Sequence, residues 1–163
     1  MSKTRKFFII LIIAAITLTL ANIWINSMMS RAQSAKESAK VYETVKPVFD
    51  RAFGEGVVTH DILRKMAHFF EFFVLGLEIG VLFCLLKTMN PKWLAMVLPF
   101  GFLVGGIDET IQIFSKRGAS FLDVLLDFSG YLLAIMLFYA VYYLIIAIKR
   151  KTKKLKKTDA KNI

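Results

Sequence analysis

Arg64-Lys65-Met66-Ala67-His68-Phe69-Phe70-Glu71 opens a stretch that is otherwise apolar enough to cross a membrane. Arg64, His68 and Glu71 stand at i, i+4 and i+7, so a helix stacks them on one face, and Glu78 continues that face two turns on. A charged side chain at mid-membrane costs roughly 2.5–3.5 kcal/mol on insertion scales, so an ionic stripe on an apolar helix needs partners or a purpose. Partners are available in Asp108-Glu109-Thr110-Ile111-Gln112 and in the segment from Asp123 to Asp127. Both lie near one end of a further apolar stretch. The pattern predicts a polar site inside an otherwise greasy, all-helical membrane protein.

Composition agrees. With 163 residues, 56% apolar content and a mean hydropathy of +0.57, the chain is too apolar for an ordinary soluble domain and too long for a single anchor. One compact membrane domain, with no appended soluble enzyme, is expected. The formal charge of +10 is concentrated at the ends: the run from Lys149 to Ile163 has eight lysines or arginines against one acidic residue, Asp159. Directly after an apolar helix, such a run holds a chain end in the cytoplasm against anionic lipid, and no nucleic-acid partner is expected. Cys84 is the only cysteine, which rules out an intramolecular disulfide and a cysteine-based metal cluster.

Four spans emerge, at about Phe7–Asn26, Lys65–Leu86, Trp93–Phe114 and Phe121–Ile148. The first follows Lys3, Arg5 and Lys6. It is long for a signal-peptide core and lacks a good small-residue cleavage site, so an uncleaved anchor is expected. Between it and the second span, Ser27 to Leu63 is polar. Val41, Val45, Val48 and Phe49 recur there at near-helical spacing, which suits an amphipathic helix on the membrane surface, broken at Gly54-Glu55-Gly56. A solvated loop with a helical turn or two fits the same residues, and His60 reads as a loop residue. Gly76/Gly80 and Gly101/Gly105 have the small-xxx-small spacing of close helix packing.

Four spans with both termini inside put thirteen of the 22 lysines and arginines on cytoplasmic segments, so the positive-inside rule favours N-in, C-in topology. The start of the second span, the end of the third and the start of the fourth then share the outer face. Arg64, His68, Glu71, Asp108, Glu109, Gln112, Arg117, Asp123 and Asp127 fall at similar depth, and Gly130, on the face of Asp123 and Asp127, admits another helix or a lipid chain.

Three readings of this cluster compete. In the structural one, Arg64 and Arg117 pair with Glu71, Asp108 or Asp123 and lock the helices together. Carboxylates outnumber cations, however, and crowding of that kind raises carboxylate pKa values or attracts a cation. In the catalytic one, His68 or Glu71 is the acid–base group and Arg64 and Arg117 clamp an anion such as a lipid phosphate. Ser120 and Ser129 are nearby without a sign of activation. In the metal reading His68 joins the carboxylates, but the two-histidine signature is missing, and no metal or cofactor is expected.

Arg64-Lys65-x-x-His68-Phe69-x-Glu71, followed by Asp108-Glu109-x-x-Gln112-x-Phe114, Arg117, Asp123 and Asp127-x-x-Gly130, resembles the VanZ-like family of small bacterial membrane proteins. The resemblance covers the second to fourth spans with order and spacing kept. Phe72 stands where that family often has Tyr, and the loop before Arg117 lacks its usual Pro-Gly and is about a residue short. The resemblance implies lowered susceptibility to teicoplanin-type glycopeptides, which act outside the cytoplasmic membrane on lipid-anchored wall precursors. It implies a phenotype and no reaction.

The expected protein is thus a four-helix, multi-pass bundle of the cell membrane. Residues 1–63 form an anchor helix and polar outer loop, 64–148 a three-helix core and 149–163 a basic cytoplasmic tail. Membrane lipids, including a lipid-linked envelope precursor, are the expected partners.

Overall fold

The computed structural model describes residues 1–118 and 120–159, so the last residues of the basic tail, 160–163, lie outside the described residues. Five α-helices account for nearly all of the described residues: α1 (Lys3–Met28), α2 (Arg31–Phe53), α3 (His60–Leu86), α4 (Pro91–Phe114) and α5 (Phe121–Asp159). The described residues contain no strand. The all-helical fold class is as the sequence indicates, and α1, α3, α4 and α5 are each long and apolar enough to cross a membrane. At 39 residues α5 is about 58 Å long by the α-helical rise, roughly twice the hydrocarbon thickness, so its basic end projects past the bundle.

Spans successive in the chain run antiparallel, so α3 and α5 run parallel to each other. Near the start of α1, Arg5 Nε donates to the Leu85 carbonyl at the end of α3. Late in α5, the Tyr143 hydroxyl donates to the Met89 carbonyl at 3.3 Å, in the α3–α4 link. The basic start of α1, that link and the basic part of α5 therefore share one end of the bundle. The end of α1, the starts of α3 and α5 and the end of α4 share the other. Ile23, Phe72, Leu75, Val97, Val104, Tyr131 and Ile135 fill the centre. Ile10, Leu18, Leu103, Leu122 and Met136 face outward, as lipid-facing residues should.

The tightest crossing is α3 on α5. A Cβ on Gly76 would stand 2.6 Å from the Tyr131 carbonyl oxygen and 2.7 Å from Ala134 Cβ, so only glycine permits that approach. Gly130 lies against the Phe69 backbone in the same way, and it is a helix, not a lipid chain, that it admits. Gly80 and Gly101 meet the rings of Phe138 and Tyr131, whereas a Cβ on Gly105 would find ordinary room, 3.6 Å from its nearest neighbours. Three of the four glycines in the two small-xxx-small pairs thus sit at close contacts.

The segment after α1 is not a loop with a turn or two. It is the 23-residue helix α2, started by a capping box in which Ser30 and Gln33 satisfy each other's backbone, and closed at Gly54 with φ 99°. No α2 residue is buried, and Val41, Val48 and Phe53 are exposed, so the valines that recur at near-helical spacing do stand on a helix. His60 is also displaced from the expected loop. The Thr59 side chain caps α3 by accepting from the Ile62 amide at 3.4 Å, making His60 the first helical residue, with its ring 4.5 Å from that of Tyr42.

Candidate functional site

The face of α3 that the sequence marks out turns toward α1. Asn22 and Asn26 Nδ2 donate to Glu71 Oε1 at 3.0 and 2.9 Å, and one helical repeat deeper the Thr19 hydroxyl donates to Glu78 Oε1 at 3.0 Å. Thr19, Asn22 and Asn26 are at i, i+3 and i+7, so α1 carries a polar seam matched to that of α3. Read as an apolar anchor, the first span gave no hint of a role in the site; this spacing was the signal that could have found it. Ser27 is fully buried, its hydroxyl donates to Asp108 Oδ1, and its carbonyl accepts from the Ser115 hydroxyl at 2.8 Å.

Asp108, Glu109 and Gln112 lie on the last turns of α4, and Asp127 faces them from the second turn of α5. All four are buried. Gln112 Nε2 donates to Asp108 Oδ2 at 2.8 Å and to Glu109 Oε1 at 2.9 Å, the two spacings expected from the sequence. The Ser120 amide donates to Glu109 Oε2 at 2.8 Å, tying the α4–α5 turn to the cluster. Ser129 donates instead to the Leu126 carbonyl of its own helix at 2.6 Å.

The cations are placed differently from the pairing expected for them. Arg64 stands 3.8 Å from the exposed Asp61 on its own helix. Arg117 Nη1 donates to the Asn26 carbonyl at 2.9 Å, bridging the α4–α5 turn to the end of α1. Neither pairs with Glu71, Asp108 or Asp123, because the asparagines, Ser27, Gln112 and Lys65 reach those carboxylates first. Lys65 Nζ lies 2.8 Å from Asp123 Oδ1 and, among the described residues, is the one cation paired across α3 and α5. Arg117 is aimed by its turn: Lys116 takes the left-handed conformation at φ 57°, and the Arg117 amide reaches back to the Gln112 carbonyl at 3.1 Å. Burial, then the nearby Arg64 guanidinium, lower the Arg117 pKa, while Asp108, Glu109 and Glu71 oppose them.

Two cavities meet at His68 and Arg64. The larger, about 160 Å³, lies under α2 and is lined by Asn26, Arg64, His68, Glu71 and Arg117, with Ser34, Glu37 and Val41 of α2 over it. His68 Nδ1 stands 3.5 Å from Glu71 Oε2 there. The smaller, about 10 Å³, is bordered by Lys65, Glu109, Gln112, Asp123 and Asp127. The residues singled out in the sequence thus divide: His68, Glu71, Arg64 and Arg117 around one space, Glu109, Gln112, Asp123 and Asp127 around the other, with Asp108 behind the second. Phe72, at the position of the missing tyrosine hydroxyl, is fully buried in the apolar core. A carboxylate trio, Asp108, Glu109 and Asp127, offers oxygens within 4.8 Å of one another, and His68 is not part of it.

No curated protein and no solved structure matches the chain. A family model described as VanZ/LLP1 matches residues 7–146, taking in α1 as well as the three spans whose motifs carry the resemblance. Over that length, with the polar residues of four helices converging as described, the chain belongs to the VanZ/LLP1 family.

Proposed function

We propose that this membrane protein holds the anionic headgroup of a lipid or lipid-linked envelope precursor in the cavity beneath α2, and thereby alters how teicoplanin-type glycopeptides engage the cell surface. The observation that carries the reading is the placing of two guanidinium groups, Arg64 and Arg117, on the wall of one 160 Å³ space at the bundle end. Guanidinium groups bind phosphate through paired hydrogen bonds, and both retain donors for it beyond their protein contacts. A volume of 160 Å³ suits a headgroup and not a whole glycopeptide. The exposed valines and Phe53 of α2 would seat that helix at the membrane surface, leaving the cavity open to headgroups. The basic start of α1, the α3–α4 link and the basic part of α5 lie toward the opposite end, so in this reading the site faces outward and both termini face the cytoplasm of the cell.

A second reading makes the protein an enzyme on a lipid-linked substrate. The 3.5 Å approach of His68 to Glu71 favours it, since a histidine beside a carboxylate is suited to moving a proton. Glu71→Gln separates the two, because it keeps the acceptor oxygen for Asn22 and Asn26 and removes proton transfer. Teicoplanin susceptibility of a sensitive Gram-positive host is compared for wild type, Glu71→Gln, Arg64→Gln/Arg117→Gln and empty vector, at matched membrane levels. Headgroup binding predicts protection by wild type and Glu71→Gln and none by the double variant. Loss with Glu71→Gln favours the enzyme, and equal sensitivity of wild type and vector refutes both.

A further inference from the structure

We infer that Asp108, Glu109 and Asp127 form a site for one hard divalent cation of the Mg²⁺, Mn²⁺ or Ca²⁺ type. The inference stands apart from the headgroup cavity and does not rest on it. The three carboxylates are 0%, 4% and 2% exposed, and one oxygen from each lies within 4.8 Å of the others. Two of them are oriented from outside by hydrogen bonds from Ser27, Gln112 and the Ser120 amide. Asp127 is not. It makes no hydrogen bond among the described residues, and its Oδ1 is wholly buried while the side chain points at the other two.

A buried carboxylate without a partner costs several kcal/mol, and the cost rises when two more carboxylates share the space. No lysine or arginine pairs with any of the three among the described residues: Lys65, which borders the same small cavity, is engaged by Asp123, and Arg64 by Asp61. A bound cation would neutralise all three at once, where a shared proton would neutralise one. The cavity of about 10 Å³ bordered by Glu109, Gln112 and Asp127 has room for one water or one ion, and Arg64, Lys65 and His68 complete its wall. The donors are all oxygen. Gln112 must turn its amide nitrogen to the two carboxylates, since they only accept, and this leaves its own oxygen available. An oxygen-only set selects hard cations over zinc or copper, and three carboxylates leave coordination positions for water. His68 borders the cavity, but its ring nitrogens are not grouped with the three carboxylates.

The test uses the full chain in dodecyl maltoside, stripped with chelator and titrated with MnCl₂, with bound Mn²⁺ read as loss of the free-ion resonance. Wild type is expected to bind one Mn²⁺ per chain, displaced by excess Mg²⁺ or Ca²⁺ and not by K⁺. Asp127→Asn and Glu109→Gln, which preserve shape, are each expected to weaken binding by about ten-fold or more, while Asp61→Asn, on the exposed start of α3, leaves it unchanged. Mn²⁺ should also raise the melting temperature of wild type and not of Asp127→Asn. Absence of Mn²⁺ binding by folded wild type, or equal binding by Asp127→Asn, overturns the inference. A wild type that is indifferent to Mn²⁺ and gains stability from Asp127→Asn would also overturn it, because the carboxylates then share a proton.

Discussion

Replacing Gly130 with alanine places a methyl group against backbone that has nowhere to go. The new Cβ would stand 3.1 Å from the Phe69 carbonyl carbon and 3.2 Å from the Phe69 ring, and closer still to the carbonyl oxygen. Carbon atoms pack at about 3.5–4.0 Å, so α3 and α5 must part by several tenths of an ångström or more at this level. Overpacking of this kind costs roughly 1–3 kcal/mol. The loss is partly offset, because alanine favours an α-helix over glycine by about 1 kcal/mol. Gly106→Ala isolates that offset, since a Cβ there meets nothing within 4 Å. The two substitutions share the propensity gain and differ by the clash, so their stabilities should differ by roughly 1–3 kcal/mol. Gly130 is one turn after Asp127, so the displacement also moves Asp127 relative to α3. The assay is thermal unfolding of purified protein in detergent, followed by monodispersity on size exclusion. Gly130→Ala is expected to melt below wild type and Gly106→Ala at or above it. Coincident melting of the two variants would refute the close α3–α5 crossing.

Other consequences are open to direct measurement. Ser27→Ala leaves buried Asp108 short of a donor and should cost roughly 1–3 kcal/mol of stability in the same melt; a wild-type melting curve would contradict the Ser27–Asp108 bond. Lys65 and Asp123 are both partly exposed, so a double-mutant cycle on Lys65→Met and Asp123→Asn should return only about 0.2–1 kcal/mol. A coupling several times larger would mean that the pair is buried more deeply than its side chains indicate. For orientation, a single cysteine at Glu43, in a Cys84→Ser background, should react in intact cells with a membrane-impermeant maleimide, whereas one at Lys149 should react only after lysis. The reverse pattern would invert the topology and place the cavity on the cytoplasmic side.

The spans were legible because length and apolarity decide them, and the face of α3 because Arg64, His68, Glu71 and Glu78 keep helical spacing. Asp108, Glu109 and Gln112 were legible for the same reason. What escaped was the choice of partners. Charge counting favours Arg–carboxylate pairs across helices, yet Glu71 is held by two asparagines and Asp108 by a serine, all on α1. A few neutral amides and hydroxyls leave the mean hydropathy of the span high and add no charge to count, so α1 read as an anchor alone. The loop reading of 31–53 failed on Ser30 and Gln33, a reciprocal cap that starts a long helix from residues of low hydropathy. Asp127 was placed on the correct face of α5, but its lack of an ion pair, with Lys65 taken by Asp123, emerges only when the helices are set together.

Retention of anionic lipid by the Arg64–Arg117 cavity tests the central claim most directly. Wild type and Arg64→Gln/Arg117→Gln would be purified in a neutral detergent, offered equal amounts of a polyprenyl phosphate and a zwitterionic phospholipid, and weighed intact by native mass spectrometry. The account predicts one polyprenyl phosphate retained by wild type in preference to the zwitterion, and no such preference in the double variant. Equal retention by both proteins, with both folded, would contradict it.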